Sequence, residues 1–232
     1  MLARFLIFFC LWSLQLFAQN GGSKIISVNF SLSFNNHHFL INDSVYFPHH
    51  HTDSILFSEC KFYLSQVEFR HKKRVVWKEE NSYHLINYRQ QDLTSFQLSL
   101  PDSVHFDAIH FLLGTDSITN VSGAMGGALD PVHGMYWTWH SGYINFKIEG
   151  KHSAISTPKK EFIFHLGGYQ YPNATAQRLT FECQDPTNIR LAFDLSQWLE
   201  ASGFTEKPNL MSPGARAQTL SQLAASCFHL LP

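Results

Sequence analysis

Residues 24–34, KIISVNFSLSF, set Ile26, Val28, Phe30, Leu32 and Phe34 at every second position, with Ser27, Asn29, Ser31 and Ser33 between them. A strand sends successive side chains to opposite faces, so this alternation predicts a half-buried β-strand. The same period recurs in CKFYLSQVEF (60–69), SFQLSL (95–100), HFDAIHFLLG (105–114), YINFKIEG (143–150), KEFIFHLGG (160–168), AQRLTFEC (176–183) and IRLAFDL (189–195). Turn chemistry separates these runs: Asn42-Asp43, Pro101-Asp102, Gly126-Gly127, Asp130-Pro131, Tyr171-Pro172-Asn173 and Asp185-Pro186. Many short strands punctuated in this way predict an all-β fold, an antiparallel β-sandwich with helix confined to short pieces.

The tail SPGARAQTLSQLAASCFHLL (212–231) is the helical exception. Ser212 suits a cap, Pro213 the first turn, and Leu220, Leu223, Ala224 and Cys227 follow helical spacing. The longest irregular stretch is TDSITNVSGAMGGALDPVHGM (115–135), a length typical of functional loops.

A chain of 232 residues is long enough for one large β domain, and residues 19–232 are read as that single domain. Before it, MLARFLIFFCLWSLQLFA (1–18) places Arg4 ahead of an apolar run and is followed by AQNGGS, the pattern of a secretory signal peptide cleaved after about Ala18. The run is too short for a stable membrane span. Cys10 lacks the small residue before it that a lipid anchor favours. The mature protein is therefore expected in the periplasm or outside the cell. Cys60, Cys183 and Cys227 remain after cleavage; Cys60 and Cys183 lie in strand-like segments that can pair, although sequence does not fix connectivity.

A formal net charge of -1 offers no basic stripe for phosphate, which argues against nucleic acid. The one charge run, His71–Arg74, reads as a solvated strand end or turn. Asp116, Asp130 and Asp194 form no acid/base motif, and GxSxG, HExxH and a phosphate-binding glycine loop are all missing from the sequence. An enzyme is thus the class with least support. Two glycosylation sequons, at Asn120 and Asn173, matter only in a eukaryotic secretory pathway.

The segment GMYWTWHSGY (134–143) concentrates Tyr136, Trp137, Trp139, His140 and Tyr143. If its strand ran unbroken into Ile144, Phe146 and Ile148, Tyr136 and His140 would share their face, and Trp137 and Trp139 the opposite one. A bulge at Ser141-Gly142 would reverse this. His165 lies opposite the stripe of Phe162, Phe164 and Leu166, so a hairpin of the two segments would gather His165 and both tryptophans on one face, where a metal can sit. Packing is the commoner use of such tryptophans. His49–His51 is a further histidine run, best read as a solvated loop. Imidazole suits copper or zinc, whereas an intact indole nitrogen only donates a hydrogen bond. The competing non-metal reading makes Tyr136, Trp137, Trp139 and Tyr143 an aromatic platform for a sugar or peptide.

FYLSQVEF, SYHLINY, IHFLLGTDSITNVSGAMGGALDP, GMYWTWHSGYINFKIEG, FIFHLGGY and MSPGARA occur in an order that resembles the MbnP family of methanobactin-associated periplasmic copper-binding proteins, over about residues 26–231. The resemblance implies a β-sandwich that binds copper through histidines and performs no catalysis. It also implies a tryptophan oxidised to kynurenine by a di-heme peroxidase of the MbnH type, which gives the metal a carbonyl and an aromatic amine. Trp137 and Trp139 match the paired tryptophans, and His165 matches the histidine of FHLGG. His84 and His133 stand in family-like surroundings. A family branch with a Trp-x-His site has its histidine where this chain has Trp139, so that geometry is not carried over. The expected ligands are, in order, His165, His84 with His133, and His140.

Overall fold

The computed structural model describes residues 22–42, 44–47, 53–140, 142–183 and 187–232. The leader with Cys10, the His49–His51 run and the turn residues Asp43, Asp185 and Pro186 lie outside the described residues. Among the described residues no helix is long and apolar enough to cross a membrane.

The chain is predominantly β. A smaller sheet centres on β1 (Ser23–Phe34), which pairs with β2 (His37–Phe39), β6 (Ser95–Pro101) and β12 (Asn188–Asp194), while β14 (Phe228–Leu230) edges β12. The larger sheet runs β11 (Gln177–Glu182), β7 (Ala108–Leu113), β3 (Ile55–His71), β9 (Gly142–His152), β10 (Glu161–Gly167) and β13 (Asn209–Leu210). Two more strands, β4 (Arg74–Lys78) and β5 (Tyr83–Asn87), pair with β3, and β8 (Tyr136–Trp137) pairs with β9. The β3–β4 link is the turn at Lys72-Lys73, so the charge run sits where solvent reaches it.

Alternation decides what is buried. Ile26, Val28, Phe30 and Leu32 of β1 are buried, as are Cys60, Phe62 and Leu64 of β3 and Phe146 and Ile148 of β9. The two sheets meet through these faces: Phe30 lies 5.7 Å from Phe62 and 6.2 Å from Phe111, both edge-on, and Phe193 lies 5.1 Å from Phe146. Edge-to-face rings add favourable geometry to the area they bury. The antiparallel sandwich expectation meets two parallel pairings, β1 with β12 and β10 with β13. Short turns enforce antiparallel neighbours, whereas these strands are far apart in sequence and no hairpin dictates their direction.

Helices close one side. The helix α2 (Leu195–Ser202) starts at Asp194, whose carboxylate accepts the N–H groups of Ser196 and Gln197, a cap the strand reading of IRLAFDL passed over. Trp198 is fully buried, 5.1 Å from Phe164, and its indole N–H donates to the Leu220 carbonyl. The expected C-terminal helix, α3 (Ala215–Ser226), buries Leu220 and Ala224. Its start corrects the sequence reading: Gly214 precedes the first turn and no side chain caps it, so Ser212 lies outside the helix.

The stretch 115–135 is no open loop. It folds onto the outer face of the large sheet through the short helix α1 (Ser117–Val121) and two 3-10 turns, Gly127–Leu129 and Pro131–His133. Buried amides fasten it there. The Asn120 side-chain oxygen accepts the Tyr143 N–H at 2.8 Å, while Asn145 accepts the Thr115 N–H at 2.9 Å and donates to Thr175 at 2.8 Å. Asn120 is 2% exposed with its amide engaged, which removes it as a glycan acceptor.

The disulfide reading is also corrected. Cys60 is buried in the core, Cys183 follows β11, and all three described cysteines are unpaired. Burial pushes their thiols up, Cys183 to about 11 and Cys227 to about 12, so they stay protonated at neutral pH.

Candidate metal centre

The aromatic segment forms a hairpin. Tyr136 pairs with Tyr143 and Trp137 with Gly142, so the chain reverses across the residues between instead of running on as one strand. The parity argument for an unbroken strand therefore fails, and the two tryptophans part company. Trp137 is 5% exposed and belongs to a second apolar cluster with Tyr63, Leu85, Leu129, Met135, Tyr143 and Ile144. Trp139 is 63% exposed at the hairpin tip, its ring 5.4 Å from Trp137 and 5.3 Å from His140. An aromatic platform of four rings is not presented, because Trp137 and Tyr143 are buried and the Tyr143 hydroxyl accepts the Met125 N–H at 3.0 Å.

Segments distant in sequence meet at this hairpin. A Cβ on Gly167 of FHLGG would come within 2.8 Å of the Trp137 ring and 2.6 Å of the Tyr143 carbonyl oxygen. Only glycine allows the indole to lie so close to β10. Its neighbour Gly168, at φ +122°, packs against Pro213 of SPGARA. The three motifs are thus successive layers of one contact.

The histidines occupy three separate places. His165 faces outward from β10 opposite Lys147, as alternation predicts, and its Nε2 lies 2.6 Å from Glu149 Oε1. That bond, helped by Lys147 at 3.1 Å, holds the Glu149 carboxyl at about 2 against the desolvation that would raise it. Lys61 and Glu59 extend the pair into a network, so His165 stands among charges of both signs.

His84 on β5 stacks on Phe96, ring centres 3.7 Å apart, with Nε2 2.7 Å from Glu79 Oε2. His133 ends the second 3-10 turn with Nε2 3.1 Å from the Gly127 carbonyl. Carbonyls and carboxylates only accept, so each of these Nε2 atoms carries its proton, and in the neutral ring Nδ1 holds the lone pair a metal would use. His84 and His133 line one cavity of about 360 Å³, walled by Phe96, Leu93 and the Gly127-Ala128 turn.

The structure therefore brings His84 and His133 to one cavity, sets His140 beside the tryptophans, and leaves His165 in an ion-pair network. Among the described residues no group of three or more His, Cys, Asp or Glu side chains is arranged to hold a metal. The partners that orient the rings were missed from sequence. Glu149 was within reach of it, since i and i+2 positions of a strand share a face and Lys147 and Glu149 lie on the side His165 takes. Glu79 gave no signal, because its approach to His84 depends on how the chain enters β5.

A family model described as MbnP matches residues 23–212. Among solved structures, MbnP from Methylosinus trichosporium superposes with a TM-score of 0.56, covering 77% of this chain and 78% of that chain at 15% sequence identity, a likeness that shows the fold. No curated protein matches the chain.

Proposed function

The chain belongs to the MbnP family, and from that premise we propose that it is an exported, non-enzymatic copper-handling protein whose metal is held by His84 and His133. The observation that carries this reading is their shared cavity, formed by side chains 49 positions apart in sequence. Neutral imidazole is a favoured copper ligand. Each ring uses Nε2 on a fixed acceptor, which orients it and leaves Nδ1 as donor. Copper fits this donor set as a pair of imidazoles, to which further donors can be added. His165 stands apart from this cavity, in the ion-pair network of Glu149 and Lys147.

The tryptophans give the second part of the reading. Trp139 is the ring that an external oxidant, a di-heme peroxidase of the MbnH type, meets first, with Trp137 behind it. Conversion of either indole to kynurenine is a four-electron oxidation that reduces two equivalents of peroxide to water and adds two oxygen atoms across the C2–C3 bond; one further water then releases the formyl carbon as formate. The product carries a carbonyl and an aromatic amine in place of a nitrogen that cannot ligate.

Copper competition titrations on His84→Ala, His133→Ala and His165→Ala test the metal site. The first two are expected to lose affinity at least about tenfold, a difference of about 1.4 kcal/mol, with the third near wild type. Loss confined to His165→Ala would overturn the cavity assignment. A peptide mass spectrum over residues 134–147, taken from native-host protein, tests the oxidation.

A further inference from the structure

The end of β3 and β9 remote from the hairpin, where Ile55 faces His152, holds two adjoining cavities that the copper reading does not use. One, about 430 Å³, has apolar walls from Phe34, Leu199 and Phe204 and carries the carboxylates of Asp53 and Glu200. The other, about 270 Å³, carries Lys151, Lys159 and Lys160. Among the described residues no lysine or arginine lines the first and no carboxylate lines the second; Ile55 and His152 border both.

Ser153 holds one charge on either side, Asp53 and Lys160. Its hydroxyl accepts the Ser54 N–H at 2.8 Å and donates to Asp53 at 3.1 Å, while its carbonyl accepts from Lys160 Nζ at 2.7 Å. Lys151 leans toward Glu161 at 3.7 Å. At the border, His152 Nδ1 accepts the Ala154 N–H at 3.2 Å, so the neutral ring has a donor at Nε2, and it forms a T-shaped pair with Phe204, ring centres 5.0 Å apart.

We propose that this end of the sandwich binds a small amphipathic zwitterion, of dipeptide size or less. The ammonium group lies against Asp53 and Glu200, the apolar body on Phe34, Leu199 and Phe204, and the carboxylate toward Lys159 and Lys160. Concave apolar walls with a few fixed polar groups are the ordinary form of a small-molecule site. Segregated charge of both signs selects a ligand of matching polarity and disfavours plain anions and plain cations.

Isothermal titration of the metal-free protein with the dipeptide Phe-Leu, its N-acetylated form and its C-amidated form tests this. Saturable binding of the free dipeptide is expected, with either block weakening it at least about tenfold. The exposed change Glu200→Gln should weaken the free and C-amidated forms alike, and Lys159→Ala should weaken only forms with a free carboxylate. No saturable binding at about 1 mM, or blocked and free forms binding equally, overturns the proposal.

Discussion

The large sheet carries apolar clusters on both faces, and they are made differently. The inner cluster is a phenylalanine core: Phe57, Phe62, Phe111, Phe146, Phe162 and Phe164 share it with Phe30 and Phe193 of the opposite sheet, with no polar atom among these rings. The outer cluster is Tyr63, Met135, Trp137 and Tyr143 under a folded loop, fastened by the amides of Asn120 and Asn145. Burial without direction stabilises; directed bonds fix position. The tryptophan hairpin belongs to the outer face, and the histidine cavity lies at the β5 edge between Phe96 of the opposite sheet and the Gly127-Ala128 turn; in both places little regular structure is available and placement depends on individual contacts.

The sharpest contrast comes from truncating the inner face. Phe62 is fully buried, stacked on Phe146 at 5.9 Å and edge-on to Phe228 at 5.2 Å. Phe62→Ala should cost about 3–5 kcal/mol, read as a lower denaturant midpoint with all probes lost together. A loss below about 1 kcal/mol would show that the inner face is not the source of stability claimed for it.

On the outer face, Gly167→Ala forces a Cβ into the Trp137 ring and the Tyr143 carbonyl. The expected cost is smaller, about 1–3 kcal/mol, with a shift of tryptophan emission in protein that remains folded. Unchanged emission would mean that the close approach of β10 and the hairpin is not what sets the indole.

These two substitutions also mark how far the sequence could be read. Phe62 was legible because its neighbours Cys60 and Leu64 share its period, and a half-buried strand leaves that imprint. The eight alternating runs each became a strand for this reason. Short strands such as β8 and β5 left none, since two to five residues do not sustain a period. The hairpin failed for a related cause: alternation carried back from Ile144 assumed one strand, and a turn within GMYWTWHSGY left Trp137 buried and Trp139 exposed. His165 was placed on the correct face, but strand parity says nothing of which strand lies opposite. Hence strand parity could not show the shared cavity of His84 and His133, which depends on the 115–135 stretch folding back over β5; only the family resemblance names the two together.

A third, smaller effect separates ion pairing from packing on the outer face. Glu149 sits at about 2 instead of its ordinary 4.5, chiefly through His165. A carboxylate depressed on folding contributes stability above its ordinary value and loses it as pH falls through the folded one. Wild type should therefore exceed Glu149→Gln by on the order of 1 kcal/mol near neutral pH, allowing for partial exposure, and the gap should close between about 4.5 and about 2. Urea midpoints across that range check it; a gap independent of pH would assign the difference to packing alone.

The smallest effect on stability belongs to Trp139, and it bears most on function. The ring is 63% exposed, so Trp139→Phe should change stability by no more than about 0.5 kcal/mol. Trp137→Phe removes area from a packed cluster and should cost more, on the order of 1–3 kcal/mol. Oxidation is expected to follow the opposite order. With Trp139 as the ring an external oxidant reaches, its replacement should leave Trp137 intact in native-host protein, although the fold is hardly disturbed. Peptide mass spectra of the two variants separate the roles: ring opening at position 137 in Trp139→Phe protein would show that the buried indole is reached without its exposed neighbour, and the tip would then be a surface feature of the hairpin alone.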